Sequence, residues 1–222
     1  LFTADYPYTS NVSDTLPAHF ADFAKQVVSN YGLDSNSLVV DIGSNDGTLL
    51  RGFVQAGAKA FGVEPTETAM KIARSRGIET VHSFWSEEVA KNILKEKGPA
   101  KAIVGTNVFA HVNDLDDLLR GVRQLLDKDG IFVIESPYLV ELVENNEFDT
   151  IYHEHLSYLS IRPLKKLFAR FDMEIVDVIP QKIHGGSIRV FVKKAEGRWE
   201  PKNSVENLAR LEEEKGYDRL ET

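Results

Sequence analysis

Short apolar segments alternate with helix-like segments along most of this chain, and the alternation stops only near its end. LVVDIG (38–43) is rich in β-branched residues, and TLLRGFVQAG (48–57) follows it with helical spacing of apolar residues. Repeated strand–helix pairs with short connections predict an α/β fold with a parallel, doubly wound sheet. Two apolar segments, 173–180 and 187–195, are separated only by QKIHGG, so we expect an antiparallel hairpin. Strands are also predicted at 60–65, 79–83, 101–107 and 131–137, and helices at 17–31, 66–77, 86–98, 114–130, 162–171 and after residue 197.

The composition excludes several functional classes. The 222 residues carry a net charge of −8 and no basic cluster, which does not suit a nucleic-acid-binding surface. Cysteine is absent, so this chain contains no disulfide and no cysteine metal ligand. We find no signal peptide and no apolar run near the roughly 18 residues that span a bilayer. We therefore expect a cytoplasmic protein without nucleic-acid or membrane partners, and, since the chain does not begin with Met, a piece of a longer protein.

The turn after the first predicted strand, in VVDIGSNDGTLL, is the first chemical motif. Gly43 and Gly47 are spaced G-x-x-x-G, whereas the dinucleotide-binding fingerprint is G-x-G-x-x-G. Asp41 precedes the first glycine, where a carboxylate would repel a pyrophosphate but attract an ammonium group. Glycines let a ligand approach backbone N–H groups beside a helix N-terminus. We predict that Asp41, Gly43, Asn45 and Gly47 bind the amino-acid end of S-adenosylmethionine.

Other strand ends supply further candidate cofactor ligands. Glu64 ends the second strand about 20 residues after the loop, which is the place of an acidic ribose ligand in nucleotide-binding α/β sheets. Phe84 and Trp85 are candidates to cover the adenine, although core packing explains both equally well. Asn107 and Val108 end the fourth strand, where they are expected beneath the ribose and the sulfonium. This set, with the terminal hairpin, resembles a class I methyltransferase (Rossmann-like) fold of strand order 3-2-1-4-5-7-6; the alternative is a glycine turn with two surface acids.

The segment TIYHEHLSYLS (150–160) concentrates polar side chains after the fifth strand. A His-x-His pair around a glutamate is compatible with a metal site, an acid–base centre or a solvated turn. A histidine zinc site needs three or four ligands, and no H-E-x-x-H helix is present, so we expect no metal in this chain. Ligands of such sheets bind at the carboxyl ends of the strands. Acid–base chemistry is therefore the favoured interpretation, and His153 is expected to have a structural role.

Six segments, taken in order, resemble the S-adenosylmethionine-dependent sugar C-methyltransferases that act on nucleotide-linked 4-keto deoxysugars. They are DYPYTSNVSDTLPAHF, VVDIGSNDGTLL, FGVEPTE, NVFAHVND, FDTIYHEHLSYLS and HGGSIRVFV, and they run through nearly the whole chain. The resemblance implies methylation at C3 of a dTDP-4-keto-hexose in deoxysugar biosynthesis. It also implies a cysteine-rich zinc domain before Leu1 and another domain after Thr222, with zinc only outside this chain. By motif match, the family's active-site residues fall on Tyr6, His111, Tyr152, Glu154 and His155.

The chemistry of that reaction explains the need for such side chains. A carbon next to a ketone becomes nucleophilic only when a base removes its proton, and histidine titrates in the required range. We assign His155 as the base and Glu154 as the carboxylate that would orient its ring. Tyr152, with Tyr6 or His111, is expected to donate hydrogen bonds to the developing enolate oxygen. An O- or N-methyltransferase of another small metabolite and a non-catalytic cofactor-binding domain stay open as alternatives.

These assignments divide the chain into three parts. Residues 1–33 form an N-terminal cap segment and helix, and residues 34–197 form the methyltransferase domain. Residues 198–222 form a charged helix with little apolar surface, which leads to the further domain. The sequence carries no signal for the oligomeric state.

Overall fold

The computed structural model describes residues 15–217, and seven strands in this part of the chain form one mixed sheet. They are β1 (Leu38–Ile42), β2 (Lys59–Glu64), β3 (Glu79–His82), β4 (Ala100–Thr106), β5 (Leu126–Pro137), β6 (Met173–Gln181) and β7 (Ser187–Lys194). Their order is β3-β2-β1-β4-β5-β7-β6, so the predicted order is confirmed. β1 to β5 pair in parallel, whereas β7 is antiparallel to both β5 and β6. The short connection between β6 and β7 permits only a hairpin, because a parallel pair needs a crossover of a dozen or more residues.

Helices cover both faces of this sheet. They are α1 (Thr15–Tyr31), α2 (Thr48–Gln55), α3 (Glu67–Ser75), α4 (Glu87–Lys97), α5 (Leu115–Leu125), α6 (Leu139–Glu144), α7 (Ile161–Ala169) and α8 (Asn203–Lys215). Successive side chains of a strand point to opposite faces. Val39 accordingly joins an apolar cluster with α1, α2 and α3, while Val40 joins one with α4, α5 and α7. With both faces covered, the ends of the strands are where a ligand can reach the sheet.

The junction between α5 and β5 differs from the prediction. The helix predicted over 114–130 ends at Leu125, and β5 begins with the next residue. The ladder between β4 and β5 shifts register at 127–130, which forms a bulge. The carboxylate of Asp127 accepts a hydrogen bond from the amide of Asp129 at 3.0 Å, a local bond that competes with helix continuation.

The segment between β5 and α7, residues 138–160, contains a helix that was not predicted. α6 has only six residues, and Val140 and Leu142 are buried while Val143 is exposed. So short a helix has no regular apolar face that a sequence pattern can reveal. A single 3₁₀ turn, Phe148–Thr150, follows it. We refer to residues 138–160 as the β5–α7 segment.

The C-terminal helix is more closely attached than its composition indicates. α8 was expected to have little apolar surface, yet Val205 is buried in the cluster that contains Val40, and Glu212 is also buried. α1 likewise contributes Phe23 and Val27 to the opposite cluster. Both outer helices thus pack against the sheet. The domain boundaries at residues 33 and 197 stay a prediction.

Candidate active site

A cavity of about 730 Å³ opens at the carboxyl ends of the parallel strands. It lies where the strand order reverses between β1 and β4, the usual ligand-binding position of open α/β sheets. The volume is within the range of about 300–1,000 Å³ that is typical of small-molecule sites. Its wall includes most of the predicted residues, namely Asp41, Gly43, Asn45, Glu64, Phe84, Trp85, Asn107, Val108, His111, Tyr152 and His155.

The two glycines of the loop after β1 have different surroundings. Both have positive φ, 69° for Gly43 and 76° for Gly47. A Cβ on Gly43 would stand 2.7 Å from Cγ2 of Val108, so only glycine allows the ends of β1 and β4 to approach this closely. A Cβ on Gly47 would instead lie 3.2 Å from Ala73 and Ile78. Gly47 therefore forms the turn that starts α2, and it lies outside the cavity wall.

Asp41 carries a buried carboxylate at the cavity wall. Only 2% of the residue is exposed, and its Oδ1 atom accepts no hydrogen bond from residues 15–217. Burial, and after it the nearby charge of Glu64, raises the pKa of Asp41 well above its usual range. Buried carboxylates without a partner are costly. This site therefore fits a ligand that brings a cation or several hydrogen-bond donors, such as an ammonium group.

Glu64 is held in place by backbone donors at the end of β2. Its Oε2 accepts a hydrogen bond from the amide of Asn45, and its Oε1 accepts one from the amide of Thr66, both at 2.7 Å. Each carboxylate oxygen has two lone pairs. One lone pair on each oxygen thus stays available for a pair of ligand hydroxyls. Asn45 itself adopts φ of 49°, which its short polar side chain tolerates.

The two aromatic residues after β3 have different environments. Phe84 is 60% exposed at the cavity rim, whereas Trp85 packs against the core and donates its Nε1 hydrogen to the carbonyl of Leu118 at 3.1 Å. Phe84 is therefore the better placed of the two to cover a flat ring. Asp114 and Asp117 also line the cavity; neither is among the predicted site residues, although Asp114 ends the NVFAHVND segment of the family resemblance.

The ring of His155 is oriented by the backbone. Its Nδ1 atom lies 2.8 Å from the carbonyl oxygen of Thr150, which can only accept, so Nδ1 carries the hydrogen. In the neutral ring the lone pair is then on Nε2, which lies 3.1 Å from the hydroxyl of Tyr152 and accepts its hydrogen. The orienting contact predicted for the Glu154 carboxylate is thus made by the carbonyl of Thr150. No sequence motif reveals that contact, because every residue has a carbonyl.

Glu154 takes part through its main chain. The Nδ1 atom of His111 donates to the carbonyl oxygen of Glu154 at 2.8 Å, and the rings of His111 and His155 are 4.9 Å apart between centroids. Burial lowers the pKa of His111, the bond to the Glu154 carbonyl opposes this, and the charge of His155 adds to the lowering. A neutral His111 that donates through Nδ1 has a lone pair on Nε2. The predicted donation from His111 to an enolate oxygen would therefore require a protonated ring.

The remaining candidates are distributed as follows. Tyr6 lies outside the described residues, and His153 is exposed. Asn107 adopts φ of 54° and has a buried Oδ1 atom without a hydrogen-bond partner among residues 15–217. His184, in the turn between β6 and β7, also lines the cavity. It had not been singled out, although the HGGSIRVFV segment that contains it was part of the family resemblance.

Two features of the described residues bear on other functions. No group of three or more His, Asp or Glu side chains within residues 15–217 could hold a metal ion. No helix in the same part of the chain combines the length and hydrophobicity needed to cross a membrane.

Known proteins resemble this chain over much of its length. A family model described as "Methyltransferase domain" matches residues 16–178. The C-methyltransferase NovU of Streptomyces niveus is 38% identical over 211 residues, which cover 95% of this chain and 50% of that protein. The ubiquinone biosynthesis O-methyltransferase of Pelagibacter ubique is 25% identical over 101 residues, covering 46% of this chain and 42% of that protein.

A solved structure supports the same fold. Magnesium protoporphyrin IX methyltransferase from Synechocystis PCC 6803 with bound SAH has a TM-score of 0.60 at 13% identity, covering 83% of this chain and 89% of that one. The chain spans half the length of the C-methyltransferase relative and less than half of the O-methyltransferase. The family model nevertheless covers most of this chain, and the strand order agrees with the family's fold. The chain therefore belongs to the methyltransferase domain family.

Proposed function

We propose that this chain is the catalytic domain of an S-adenosylmethionine-dependent C-methyltransferase. The proposed acceptor is C3 of a nucleotide-linked 4-keto deoxysugar, the carbon next to the ketone. The observation that carries the proposal is the pair formed by His155 and Tyr152, in which Nε2 of the ring holds a lone pair beside a phenol. This pair lines the same cavity as the buried carboxylate of Asp41. The similarity to a C-methyltransferase over 95% of the chain supports carbon as the acceptor atom.

The proposed cofactor matches the groups in the cavity wall. Asp41 would accept hydrogen bonds from the ammonium group, and the carboxylate of Glu64 would accept them from the ribose hydroxyls. Phe84 would cover the adenine, and Asn107 and Val108 would lie beneath the ribose and the sulfonium. When bound, S-adenosylmethionine supplies an electrophilic methyl group. The cofactor product, S-adenosylhomocysteine, would occupy the same positions.

In the proposed mechanism the base is Nε2 of His155. It takes the proton from C3, and the electron pair of the broken C–H bond forms an enolate with the neighbouring ketone. The ring becomes charged while its Nδ1 hydrogen stays bonded to the Thr150 carbonyl, which holds the ring in the same orientation. For this proton transfer Tyr152 must turn its hydrogen from Nε2 to the ketone oxygen, which frees the lone pair for the C3 proton and leaves the phenol donating to the enolate oxygen. A general base contributes typically about 10²–10⁴-fold, and an oxyanion donor about 10²–10³-fold.

The remaining partner assignments belong to the same proposal. We expect the substrate to be a small nucleotide-sugar and expect no nucleic-acid partner. We expect the enzyme to act in the cytoplasm, in deoxysugar biosynthesis. The net charge of −8 speaks against a polyanionic macromolecule as substrate.

The identity of the methylated atom tests this proposal. The protein is incubated with a dTDP-4-keto deoxysugar and S-adenosylmethionine that carries ¹³C in its methyl group. We expect NMR of the product to correlate the labelled methyl with C3 of the sugar through a carbon–carbon bond. A label attached to oxygen or nitrogen would assign the site to the alternative O- or N-methyltransferase chemistry. A protein that binds S-adenosylhomocysteine but turns over no acceptor would support the non-catalytic alternative.

A further inference from the structure

We propose that Glu212 in α8 is a positioning residue, whose buried carboxylate fastens both ends of the β5–α7 segment that carries Tyr152 and His155. Its catalytic consequence rests on the function proposed above. Its structural consequence, a more rigid segment, does not depend on that function.

The contacts of Glu212 reach both ends of the segment. Its Oε1 atom accepts hydrogen bonds from the hydroxyl of Tyr138 at 2.9 Å and from the amide of Ile161 at 2.6 Å. Its Oε2 atom accepts from the amide of Arg162 at 3.0 Å. Tyr138 begins the segment, and Ile161 directly follows it. A single side chain, 4% exposed, thus connects the entry and the exit of 23 consecutive residues, 138–160.

The helix that follows the segment depends on this distant cap. Ser160 precedes α7 but makes no side-chain hydrogen bond to its first turn. The amides of Ile161 and Arg162 are instead satisfied by Glu212, about 50 positions later in the chain. A carboxylate at a helix N-terminus is stabilised by the unpaired amides and the helix dipole. A local Ser or Asp cap would serve α7 equally well, but it would not reach the hydroxyl of Tyr138.

The middle of the segment, around residues 148–153, is more exposed than its ends. At the base, Tyr138 and Leu159 form a parallel β-bridge, and the amide of Leu139 donates to the carbonyl of Leu159 at 3.0 Å. Farther out, Phe148 is 78% exposed and Ile151 is also exposed. Near His155, the carbonyl of Ala110 accepts hydrogen bonds from the amides of Leu156 and Ser157 at 2.8 and 3.3 Å. His111 also donates to the carbonyl of Glu154. The position of His155 therefore depends on these bonds together with the closure of the base.

The test compares three variants with a matched control. Glu212→Ala removes all three accepted bonds, Glu212→Gln keeps one carbonyl oxygen as acceptor, and Tyr138→Phe removes only the phenol bond. Glu213→Gln, on the exposed side of the same helix, makes the charge change without touching the segment. Each protein is examined by hydrogen exchange of the β5–α7 segment and of the loop after β1. The rate of methyl transfer and the KM for S-adenosylmethionine are measured alongside.

We expect the exchange rate of the β5–α7 segment to be highest in Glu212→Ala, intermediate in Glu212→Gln and lowest in the wild type. In Glu212→Ala, amides at 145–156 should exchange about tenfold faster or more, as for lost hydrogen bonds to a charged acceptor. The turnover rate should fall by a similar factor, while the KM for S-adenosylmethionine and the exchange of the loop after β1 stay as in the wild type. Tyr138→Phe should give a smaller change in the same direction. It should stay folded, so it tests the inference even where Glu212→Ala does not fold. Glu213→Gln should behave as the wild type.

The outcomes separate this inference from the proposed function. Unchanged exchange of the segment in folded Glu212→Ala and in Tyr138→Phe would overturn the fastening role. Faster exchange with an unchanged turnover rate would overturn the positioning role. A wild-type protein without methyl transfer would contradict the proposed function, and hydrogen exchange alone would then still decide whether Glu212 fastens the segment.

Discussion

At the scale of single residues, the candidate site combines carboxylates at strand ends with backbone carbonyls that orient its histidine rings. Asp41 and Glu64 were predicted from their places at strand ends, and both line the cavity. The carbonyl of Thr150 that orients His155 could not be predicted, because a backbone acceptor depends on the path of the chain and not on residue type. The same limit applies to Glu154, which contributes its carbonyl to His111.

Replacing Asp41 is expected to weaken cofactor binding and to stabilise the folded protein at pH 8. Because the pKa of Asp41 is raised by burial and by Glu64, the folded protein binds this proton more tightly than the unfolded chain does. The stabilisation that this proton gives to the folded protein is complete below the unfolded pKa of about 3.9. It is lost as pH rises through the pKa of Asp41 in the folded protein. Asp41→Asn should therefore be more stable than the wild type at pH 8, by a margin that narrows toward acidic pH.

The same variant should bind the cofactor product poorly. Loss of a buried charge partner weakens binding of S-adenosylhomocysteine by at least about tenfold. Calorimetric titration and urea unfolding at pH 5 and pH 8 measure both effects. Wild-type affinity would show that Asp41 does not bind the ammonium group. A loss of stability at pH 8 would show that its burial does not raise its pKa.

Tyr152→Phe tests the phenol separately from the imidazole. The variant keeps the ring but loses the hydroxyl that lies 3.1 Å from Nε2 of His155. We expect the turnover rate to fall by about 10²–10³-fold, the usual effect of removing an oxyanion donor. The affinity for S-adenosylhomocysteine, measured by calorimetry, should not change. A variant that turns over at the wild-type rate would remove Tyr152 from the mechanism.

At the scale of elements, the sheet was predictable and its irregular parts were not. Period-two apolar strands and helical spacing gave the order of elements, because both periods follow from backbone geometry. The bulge at 127–130 and the short helix α6 were not predicted, because each is decided by local polar bonds or by the packing of a few residues. The attachment of α1 also depends on a contact between distant positions, the buried pair of Glu135 and Arg189.

That pair connects three elements beside the cavity. Two guanidinium nitrogens of Arg189 donate to Oε2 of Glu135 at 2.9 and 2.7 Å, and Nε2 of His19 in α1 lies 2.6 Å from Oε1. A third nitrogen of Arg189 donates to Gln26 of α1 at 2.6 Å. Burial tends to raise the pKa of Glu135, but the hydrogen bond from His19 and the charge of Arg189 outweigh it, so the pKa is lowered.

Arg189→Met should therefore loosen α1. Removing one partner of a buried ion pair costs about 3–5 kcal/mol of the free energy of unfolding. The affinity for S-adenosylhomocysteine should fall as well, since Leu16 and Phe20 of α1 line the cavity. Urea unfolding checks the first effect. Arg170→Met, which breaks an exposed pair with Asp116, is the matched control and should cost less than about 1 kcal/mol; equal losses in the two variants would contradict this account.

At the scale of the whole molecule, the strand order places most of the candidate groups at one edge of the sheet. The loop after β1, the end of β4 and the β5–α7 segment come from distant parts of the chain and share one cavity wall. The sequence predicted this meeting, because parallel strands bring their carboxyl ends together. It did not predict that α8 would close the base of the β5–α7 segment through Glu212, since a buried glutamate cannot be distinguished from its exposed neighbours by sequence alone.

The central claim is that Nε2 of His155 removes the proton from the carbon next to the ketone. The most direct measurement is the exchange of the C3 proton of a dTDP-4-keto deoxysugar in D₂O, followed by NMR, for the wild type, His155→Gln and the control His153→Gln. We predict exchange by the wild type and by His153→Gln, and a loss of about 10²-fold or more in His155→Gln, with binding of S-adenosylhomocysteine unchanged. Exchange by His155→Gln at the wild-type rate would contradict the account.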